Sequence, residues 1–226
     1  MRFIRCKRFK GFRGFGFGFG FTFLGLLALL AIVALVTVLA AQQPWNRDFG
    51  EDMARLAPIL ELRAGQTVAD IGAGGGELTV RLAKHVGPEG RVYATEMSAD
   101  RMDRIRRRAE DDGLENVTVL EAHAERTNLP DNCCDAIVIR NVYHHFDDPA
   151  AMNTSLLTSL KPGGRLAIID FSPNRGRTAD SPAERDQSSH GVDIETVVKE
   201  VTAAGFERQT VETSDDRSFM AVFRKN

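Results

Sequence analysis

The sequence predicts an α/β fold in which a mostly parallel, doubly wound sheet has helices on both faces. From about residue 51 onward, short apolar runs alternate with amphipathic stretches of helical period. A glycine-rich turn directly follows the first apolar run, and only Ser214–Asp216 separates the last two runs. The alternation predicts parallel strands with right-handed crossovers. The short final connection predicts an antiparallel hairpin at the end of the chain.

The first half of this region has clear start and stop signals. Its first helix carries an apolar face at helical spacing, and the second ends at the Gly87–Gly90 turn. Ser98 is the expected N-cap of the third helix, and Gly113 follows its last turn. These signals predict helices over about residues 51–63, 77–86 and 98–112, alternating with strands at about 68–71, 91–96 and 116–121.

The second half continues the alternation. Lys161–Gly164 is expected to form a sharp turn, residues 172–190 a polar and mobile loop, and Gly205 the end of the last helix. The predicted helices lie at about 148–160 and 192–204, and the predicted strands at about 135–140, 165–170, 206–212 and 217–224.

The N-terminal part differs in composition from the rest. Residues 1–20 form a basic Gly/Phe-rich leader, residues 21–41 an uncharged apolar segment, residues 42–50 a linker, and residues 51–226 the globular domain. About 20 apolar residues can cross a bilayer, which favours a single-pass anchor. Val38–Ala40 also fits a signal-cleavage site, which favours export. The third possibility is a misassigned start near Trp45, which would leave the protein cytoplasmic.

Charge and cysteine content exclude some partners. The leader holds six of the 29 basic residues and none of the 31 acidic ones, so the remaining chain is acidic. An acidic domain argues against nucleic acid as a partner, and Arg104–Arg108 is read as a salt-bridged helix face. Cys133 and Cys134 are adjacent and are expected to be packed thiols. A dithiol metal site is less favoured, so no metal is predicted.

The turn after the first strand is the most informative motif. Gly72, Gly74 and Gly76 stand between a buried strand and a helix, where backbone N–H groups can meet a nucleotide-like cofactor. A dinucleotide fingerprint would place glycine at Glu77, and a phosphate loop would end in Gly-Lys-Ser/Thr. Glu96 ends the second strand, where its carboxylate can accept hydrogen bonds from ribose hydroxyls. The spacing disfavours NAD(P).

Further motifs extend this pattern over about residues 45–224. They are Leu129-Pro-Asp131, Asn141-Val-Tyr-His-His-Phe-Asp-Asp-Pro149, Leu160-Lys-Pro-Gly-Gly-Arg165 and Ala203-Ala-Gly-Phe206. Together with the glycine motif, they resemble class I S-adenosylmethionine (SAM) methyltransferases of the type 11 group, which includes quinone-biosynthesis C-methyltransferases. The Tyr-His-His-Phe block is similar to that of a bacterial subgroup with export-type leaders.

The resemblance implies a seven-stranded sheet in the order 3-2-1-4-5-7-6, with SAM over the carboxyl ends of strands 1, 2 and 4. It assigns Asp70 to the methionine ammonium, Glu96 to the ribose and Met97 to the adenine. Asn141 would lie beside the methionine part, and the three motif glycines would let the backbone approach the ligand.

One position departs from the family pattern. The family has an acidic residue after strand three that binds the adenine amino group, whereas this chain has Ala122-His123-Ala124-Glu125. His123 would take over that contact, or Glu125 would if the loop shifts, with Ala124 beside them.

The resemblance also implies methyl transfer to a small-molecule acceptor. Four side chains are candidate bases if the acceptor must lose a proton: Tyr143, His144, His145 and His190. In an extended backbone, His144 and His145 would point to opposite sides, and either could instead bond Asp147 or Asp148. Tyr143 is expected to pack against the cofactor.

Two other functions are kept open at this point. One is a non-catalytic module that binds SAM or a nucleotide, and the other, less favoured, is an NAD(P)-dependent oxidoreductase. A lipid-like or quinone-like acceptor would suit attachment to a membrane through the N-terminal segment, but that expectation rests on analogy.

Overall fold

The computed structural model describes residues 49–173, 190–214 and 217–226. The helices are α1 (Phe49–Ile59), α2 (Glu77–Val86), α3 (Ala99–Asp111), α4 (Pro149–Ser159) and α5 (Ile194–Ala203), with a short 3-10 helix at Tyr143–His145. The strands are β1 (Thr67–Ile71), β2 (Arg91–Glu96), β3 (Val117–Glu121), β4 (Cys134–Arg140), β5 (Leu160–Phe171), β6 (Glu207–Thr213) and β7 (Ser218–Arg224).

The seven strands form one sheet in the order β3-β2-β1-β4-β5-β7-β6. Strands β1 to β5 run parallel to one another, and β7 is antiparallel to both of its neighbours, β5 and β6. The predicted fold class, strand order and final hairpin are therefore confirmed. The order reverses direction between β1 and β4, so the loops after these strands diverge and open a crevice at their carboxyl ends.

Strand residues alternate between two hydrophobic cores because successive side chains point to opposite faces of a sheet. Along β4, Ile137 and Ile139 belong to the core that contains residues of α4 and α5, whereas Ala136 and Val138 belong to the core beneath α1 and α2. Both faces of the central strands are thus buried. Their residues can be uniformly apolar, as expected for a parallel sheet.

The structure corrects one predicted turn. Lys161–Gly164 lies within β5, which begins at Leu160, rather than forming a turn before the strand. Leu160 pairs with Cys134 and Arg165 pairs with Ala136, so the register shifts between these two pairs. The extra residues form an irregularity in the strand that keeps pairing on both sides of it. The polar loop predicted at 172–190 falls largely outside the described residues.

The two adjacent cysteines also differ from expectation. The sulfur atoms of Cys133 and Cys134 are joined as a vicinal disulfide, with the Cα atoms 3.8 Å apart. The prediction of two packed thiols is therefore wrong, because neighbouring side chains here turn toward each other. The pair lies at the amino end of β4, away from the carboxyl-end crevice.

Membrane-spanning helices and metal sites are absent from the described residues. None of the helices there is long and apolar enough to span a bilayer, and the apolar segment predicted at 21–41 lies outside them. No group of three or more His, Cys, Asp or Glu side chains in the same ranges is arranged to hold a metal ion.

Candidate functional site

A cavity of about 790 Å³ opens at the carboxyl ends of the central strands. Its size is within the range of small-molecule sites. Its wall comes from the loops after β1, β2, β3 and β4, and from Phe49 at the start of α1. The strand order places all of these loops at one edge of the sheet, at the reversal point where α/β folds bind ligands.

The glycines after β1 have different roles. Gly74 has φ +58° and lies on the cavity wall, and a Cβ added to it would meet nothing within 4 Å. A Cβ at Gly72 would lie 2.6 Å from Val142 Cγ2. Gly76 packs against Ile105 and is absent from the cavity wall. The structure therefore brings Gly72 and Gly74 to the cavity, while Gly76 serves the packing of α2 against α3.

Glu77 changes what this turn can bind. Its carboxylate lies above Gly75, with Oε2 2.7 Å from the place a Gly75 Cβ would occupy, and it also pairs with Arg108 at 2.7 Å. A helix N-terminus normally attracts a phosphate. Here a carboxylate already lies beside that position, and it would repel the pyrophosphate of a dinucleotide. Glu77 also lines the cavity.

Asp70 is the penultimate residue of β1 and is almost fully buried on the cavity wall. Its Oδ2 accepts a hydrogen bond of 2.6 Å from the Thr79 hydroxyl. Burial raises the pKa of Asp70 to about 6, although the Thr79 hydrogen bond and the charge of Arg140 act in the opposite direction. The carboxylate is therefore poorly compensated, and a cationic group in the cavity would stabilise it.

Glu96 ends β2 and is held by backbone donors. Its Oε1 accepts hydrogen bonds from the N–H groups of Met97 (2.9 Å) and Ser98 (3.1 Å), and its Oε2 accepts one from Gly74 (3.0 Å). A carboxylate has about four acceptor positions, so Oε2 keeps capacity for a ligand hydroxyl. Met97 lies on the cavity wall with 66% of its surface exposed.

The loop after β3 brings Ala122, His123 and Ala124 to the cavity wall. Backbone bridging between His123 and Arg126 shapes this loop. Glu125, the alternative adenine partner in the sequence, is exposed and absent from the wall. Of the two side chains considered for that contact, the structure brings His123 to the cavity.

The end of β4 contributes two adjacent polar residues. Asn141 has φ +55°, donates its N–H to the Ile169 carbonyl at 2.8 Å and lines the cavity. Arg140 also lines it, and its Nε donates to Asp52 Oδ2 at 2.6 Å. Sequence reasoning found Asn141 but missed Arg140, because its partner lies 88 residues away on α1.

The histidines after β4 form a layered cluster. His145 lies on the cavity wall, and its ring packs against that of His144 with centroids 3.9 Å apart and the planes tilted by 45°. His144 is buried, and its Nδ1 donates to Asp170 Oδ1 at 2.8 Å. The His190 ring lies 5.1 Å from that of His144. The structure thus brings His145 to the cavity, with His144 behind it.

This arrangement replaces the expected environment of the histidines. The backbone at Tyr143–His145 is a 3-10 helix rather than extended, which allows both rings to lie on one side. The partner of His144 is Asp170 at the end of β5, not Asp147 or Asp148. Asp148 instead caps α4 by accepting from the Ala151 N–H at 2.9 Å.

Tyr143 does not reach the cavity. It is fully buried, its hydroxyl donates to Glu200 at 3.0 Å, and the same oxygen accepts from the Asn153 side chain at 2.9 Å. Its ring packs against Phe146 at 5.1 Å. The 3-10 turn directs this ring into the core, so the structure does not bring Tyr143 to the cavity in which it was expected to meet a cofactor.

Comparison with known proteins places this chain in a family. Residues 62–216 match the family described as "Methyltransferase domain". The chain belongs to this methyltransferase family. Within it, the sheet order and the crevice at the carboxyl ends are those of a class I SAM-dependent methyltransferase, as the sequence motifs predict.

Three relatives illustrate the similarity. The ubiquinone/menaquinone biosynthesis C-methyltransferase UbiE of Coxiella burnetii is 33% identical over 129 residues, covering 57% of this chain and 49% of the relative. A SAM-dependent methyltransferase structure from Aquifex aeolicus is 27% identical, with a TM-score of 0.65, covering 77% of this chain and 90% of the other.

The third relative was solved with the cofactor. Phosphoethanolamine N-methyltransferase 2 of Haemonchus contortus, in complex with SAM, is 17% identical with a TM-score of 0.65 and covers 78% of this chain and 52% of the other. At this identity the likeness concerns the fold. The chain spans about half the length of the curated relatives it matches.

The charges of the methyltransferase cavity fit SAM. The acidic side chains on its wall are Asp70, Glu77, Glu96 and Asp147, against the basic Arg101 and Arg140. SAM carries a sulfonium, an ammonium and one carboxylate, so it is a net cation, whereas a dinucleotide is an anion. An acidic wall around a glycine turn therefore favours SAM over NAD(P).

Proposed function

We propose that this protein transfers the methyl group of SAM to a small-molecule acceptor. The observation that carries the proposal is the pair of buried carboxylates, Asp70 and Glu96, that end neighbouring strands on either side of an open glycine turn. Family membership supports the same reaction. SAM supplies an activated methyl group whose leaving thioether is neutral, so no general acid is needed.

The wall residues would then bind and align the cofactor. Asp70 receives the methionine ammonium, directly or through water, and the free acceptor capacity of Glu96 Oε2 receives a ribose hydroxyl. Met97 and His123 flank the adenine with Ala124 beside them, and Asn141 lies next to the methionine part. Holding donor and acceptor in line and excluding water are the main sources of rate in such a displacement.

A base is required only when the acceptor atom carries a proton that must leave. Among the four candidates Tyr143, His144, His145 and His190, we favour His145, because it alone of them lies on the cavity wall. His144, anchored by Asp170, would fix the orientation of the His145 ring. His190 would add to the same aromatic cluster.

The acceptor class follows from two lines of support. Curated relatives are named for ubiquinone and menaquinone biosynthesis, and the segment at 21–41 has the length and composition of a membrane span. We therefore propose a quinone-like or lipid-like acceptor, and a domain that the N-terminal segment either anchors to the membrane or directs for export. Residues 1–20 and the linker at 42–50 would flank that segment.

Titration calorimetry tests the cofactor. SAM and its demethylated product should bind the wild-type protein, and NADH should not. Gly74→Phe should abolish binding of both, because its ring would fill open space in the cavity. Gly113→Phe is the matched control, since Gly113 also has a positive φ and open space around it but lies outside this cavity. Strong NADH binding without a SAM signal would refute the cofactor assignment.

Transfer of a labelled methyl group to a membrane lipid extract tests catalysis. We expect incorporation with wild-type protein, and a loss of about 100-fold with His145→Ala if proton removal limits the reaction. Binding of SAM without incorporation into any of a broad set of acceptors would favour the second candidate function, a non-catalytic SAM-binding module. The departure at His123 from the family's acidic residue is the observation that keeps this alternative open.

A further inference from the structure

Arg140 is a mostly buried guanidinium fixed in place on the cavity wall. Its side chain is 12% exposed, and its Nε donates to Asp52 Oδ2, whose side chain is 2% exposed. The Phe49 ring covers the guanidinium from 4.3 Å, measured from Cζ to the ring centroid. Both contacts come from the first turn of α1. The guanidinium of Arg140 is therefore fixed at its Nε edge by Asp52 and on one face by the Phe49 ring.

The other edge of the guanidinium is available. Within the described residues, neither Nη1 nor Nη2 of Arg140 has a hydrogen-bond partner. Neither atom is among the fully buried polar atoms that lack a partner. Leaving the N–H groups of a mostly buried guanidinium unpaired costs free energy unless a ligand accepts hydrogen bonds from them. A carboxylate matches this edge because it accepts two parallel N–H donors.

The position of the two Nη atoms of Arg140 indicates which ligand carboxylate they would bind. Strands β1 and β4 are parallel neighbours, with Asp70 in register with Val138, two residues before Arg140. Asp70 and Arg140 thus end adjacent strands on the same wall, one anionic and one cationic. An α-amino acid presents an ammonium and a carboxylate on one carbon, which complements such a pair.

We propose that Arg140 binds the α-carboxylate of the methionine part of SAM, and that Asp52 is the residue that positions it. The inference rests on the proposed function, since it assigns one end of the SAM site. The second cavity arginine, Arg101, lies 3.8 Å from Glu96 at the ribose end. Charge at the two ends of the cavity is therefore supplied by different arginines, and only Arg140 neighbours Asp70.

The proposal makes helix α1 a wall of the cofactor site. Phe49 excludes water from one face of the guanidinium, and Asp52 leaves the Nη edge turned to the cavity. With the ligand carboxylate in place, Arg140 would be paired on both edges and Asp70 would face the ammonium. Each buried charge would then have an opposite partner, which is the arrangement that buried charges require.

Calorimetry with SAM and with decarboxylated SAM tests this directly, because the two ligands differ only in the carboxylate. Wild-type protein should prefer SAM by about 10- to 100-fold, as expected for a hydrogen-bonded charge pair. In Arg140→Gln that preference should disappear, mainly through weaker SAM binding. Arg140→Lys should retain part of it. Arg101→Gln, the matched control, should leave the preference unchanged.

A second variant guards against misfolding, because Arg140→Gln leaves the buried Asp52 unpaired. The double variant Arg140→Gln/Asp52→Asn removes both charges and should show the same loss of preference. Asp52→Asn alone should weaken the preference without abolishing it, in line with a positioning role. Melting curves of each variant establish that the fold is intact.

The outcomes separate this inference from the proposed function. If wild-type protein binds neither ligand, the cofactor assignment itself fails. If wild-type protein binds SAM while Arg140→Gln keeps the full preference for it, only the role of Arg140 is overturned. If Arg140→Gln weakened the binding of both ligands equally, the role of Arg140 would also be overturned. If it left the binding of both unchanged and raised the KM for the acceptor, Arg140 would be assigned to the acceptor instead.

Discussion

At the scale of single residues, we expect the ionisation of Asp70 to couple cofactor binding to pH. Burial raises its pKa to about 6 from a usual value of 3.8. Over that interval the folded protein holds a proton that the unfolded chain has released, so this residue makes the free energy of unfolding decrease as pH rises. If Asp70 receives the ligand ammonium as proposed, SAM would bind the ionised form, and SAM affinity would increase over the same interval.

The first prediction concerns that affinity. Below pH 6 the Kd for SAM should rise by up to tenfold for each unit of pH, since the ionised fraction of Asp70 falls by that factor. Asp70→Asn should bind SAM weakly and without this pH dependence. Calorimetry between pH 5 and pH 8 measures it. An unchanged pH profile in Asp70→Asn would show that another group is responsible.

The predicted residues that the structure places on the cavity wall share a simple local signal. Asp70 and Glu96 each end a short apolar run, and the parallel sheet brings such ends together, so sequence alone could place them. Arg140 and Asp170 carried no comparable signal, because their significance depends on Asp52 and His144, which are distant in sequence. Buried partnerships between remote elements are decided by packing and cannot be found in local patterns.

At the scale of elements, the turns after β1 and β4 support each other across the crevice. Gly72 has φ +69°, and a Cβ there would lie 2.6 Å and 2.8 Å from the two Val142 methyl carbons. The loop carrying Asn141 and His145 therefore packs directly against the glycine turn. Any side chain at Gly72 would push this loop away from the cofactor cavity.

Gly72→Ala should therefore destabilise the protein by about 2–4 kcal/mol, from the positive φ and the overpacking together. Val142→Ala creates space for the new methyl group. The double variant Gly72→Ala/Val142→Ala should therefore lose clearly less stability than the sum of the losses in the two single variants. Urea denaturation of the four proteins gives the coupling energy. Gly74→Ala, where the new Cβ meets nothing, serves as the control for backbone strain alone. Additive losses would contradict the contact.

Element boundaries show where sequence reasoning stops. The spacing of apolar residues predicted the order and type of every helix and strand, because each element must bury a face whose apolar residues repeat with the period of that element. The 3-10 helix at Tyr143–His145 was missed, since three residues are too few to show a period. The irregularity in β5 was read as a turn because Pro162 and Gly163 favour both structures.

At the scale of the whole molecule, the helix that follows the predicted linker contributes to the wall of the candidate cavity. The linker was predicted to end at residue 50, but α1 already begins at Phe49, and Phe49 lies on the cavity wall. The catalytic cavity thus starts at the first described residue of the chain.

The last prediction concerns where the domain resides. A C-terminal alkaline phosphatase fusion, which is active only outside the cytoplasm, should be active when the full chain is expressed in bacteria. Arginine at Leu30 and Leu35 should abolish that activity, because each charge at the centre of a span costs about 2.5–3.5 kcal/mol. The mass of the product then distinguishes an uncleaved anchor from a chain cut after Ala40. The opposite result would be a wild-type fusion without phosphatase activity and an active cytoplasmic reporter at the same position. That result would reject both export and outward anchoring, and would leave a cytoplasmic enzyme with the same cavity.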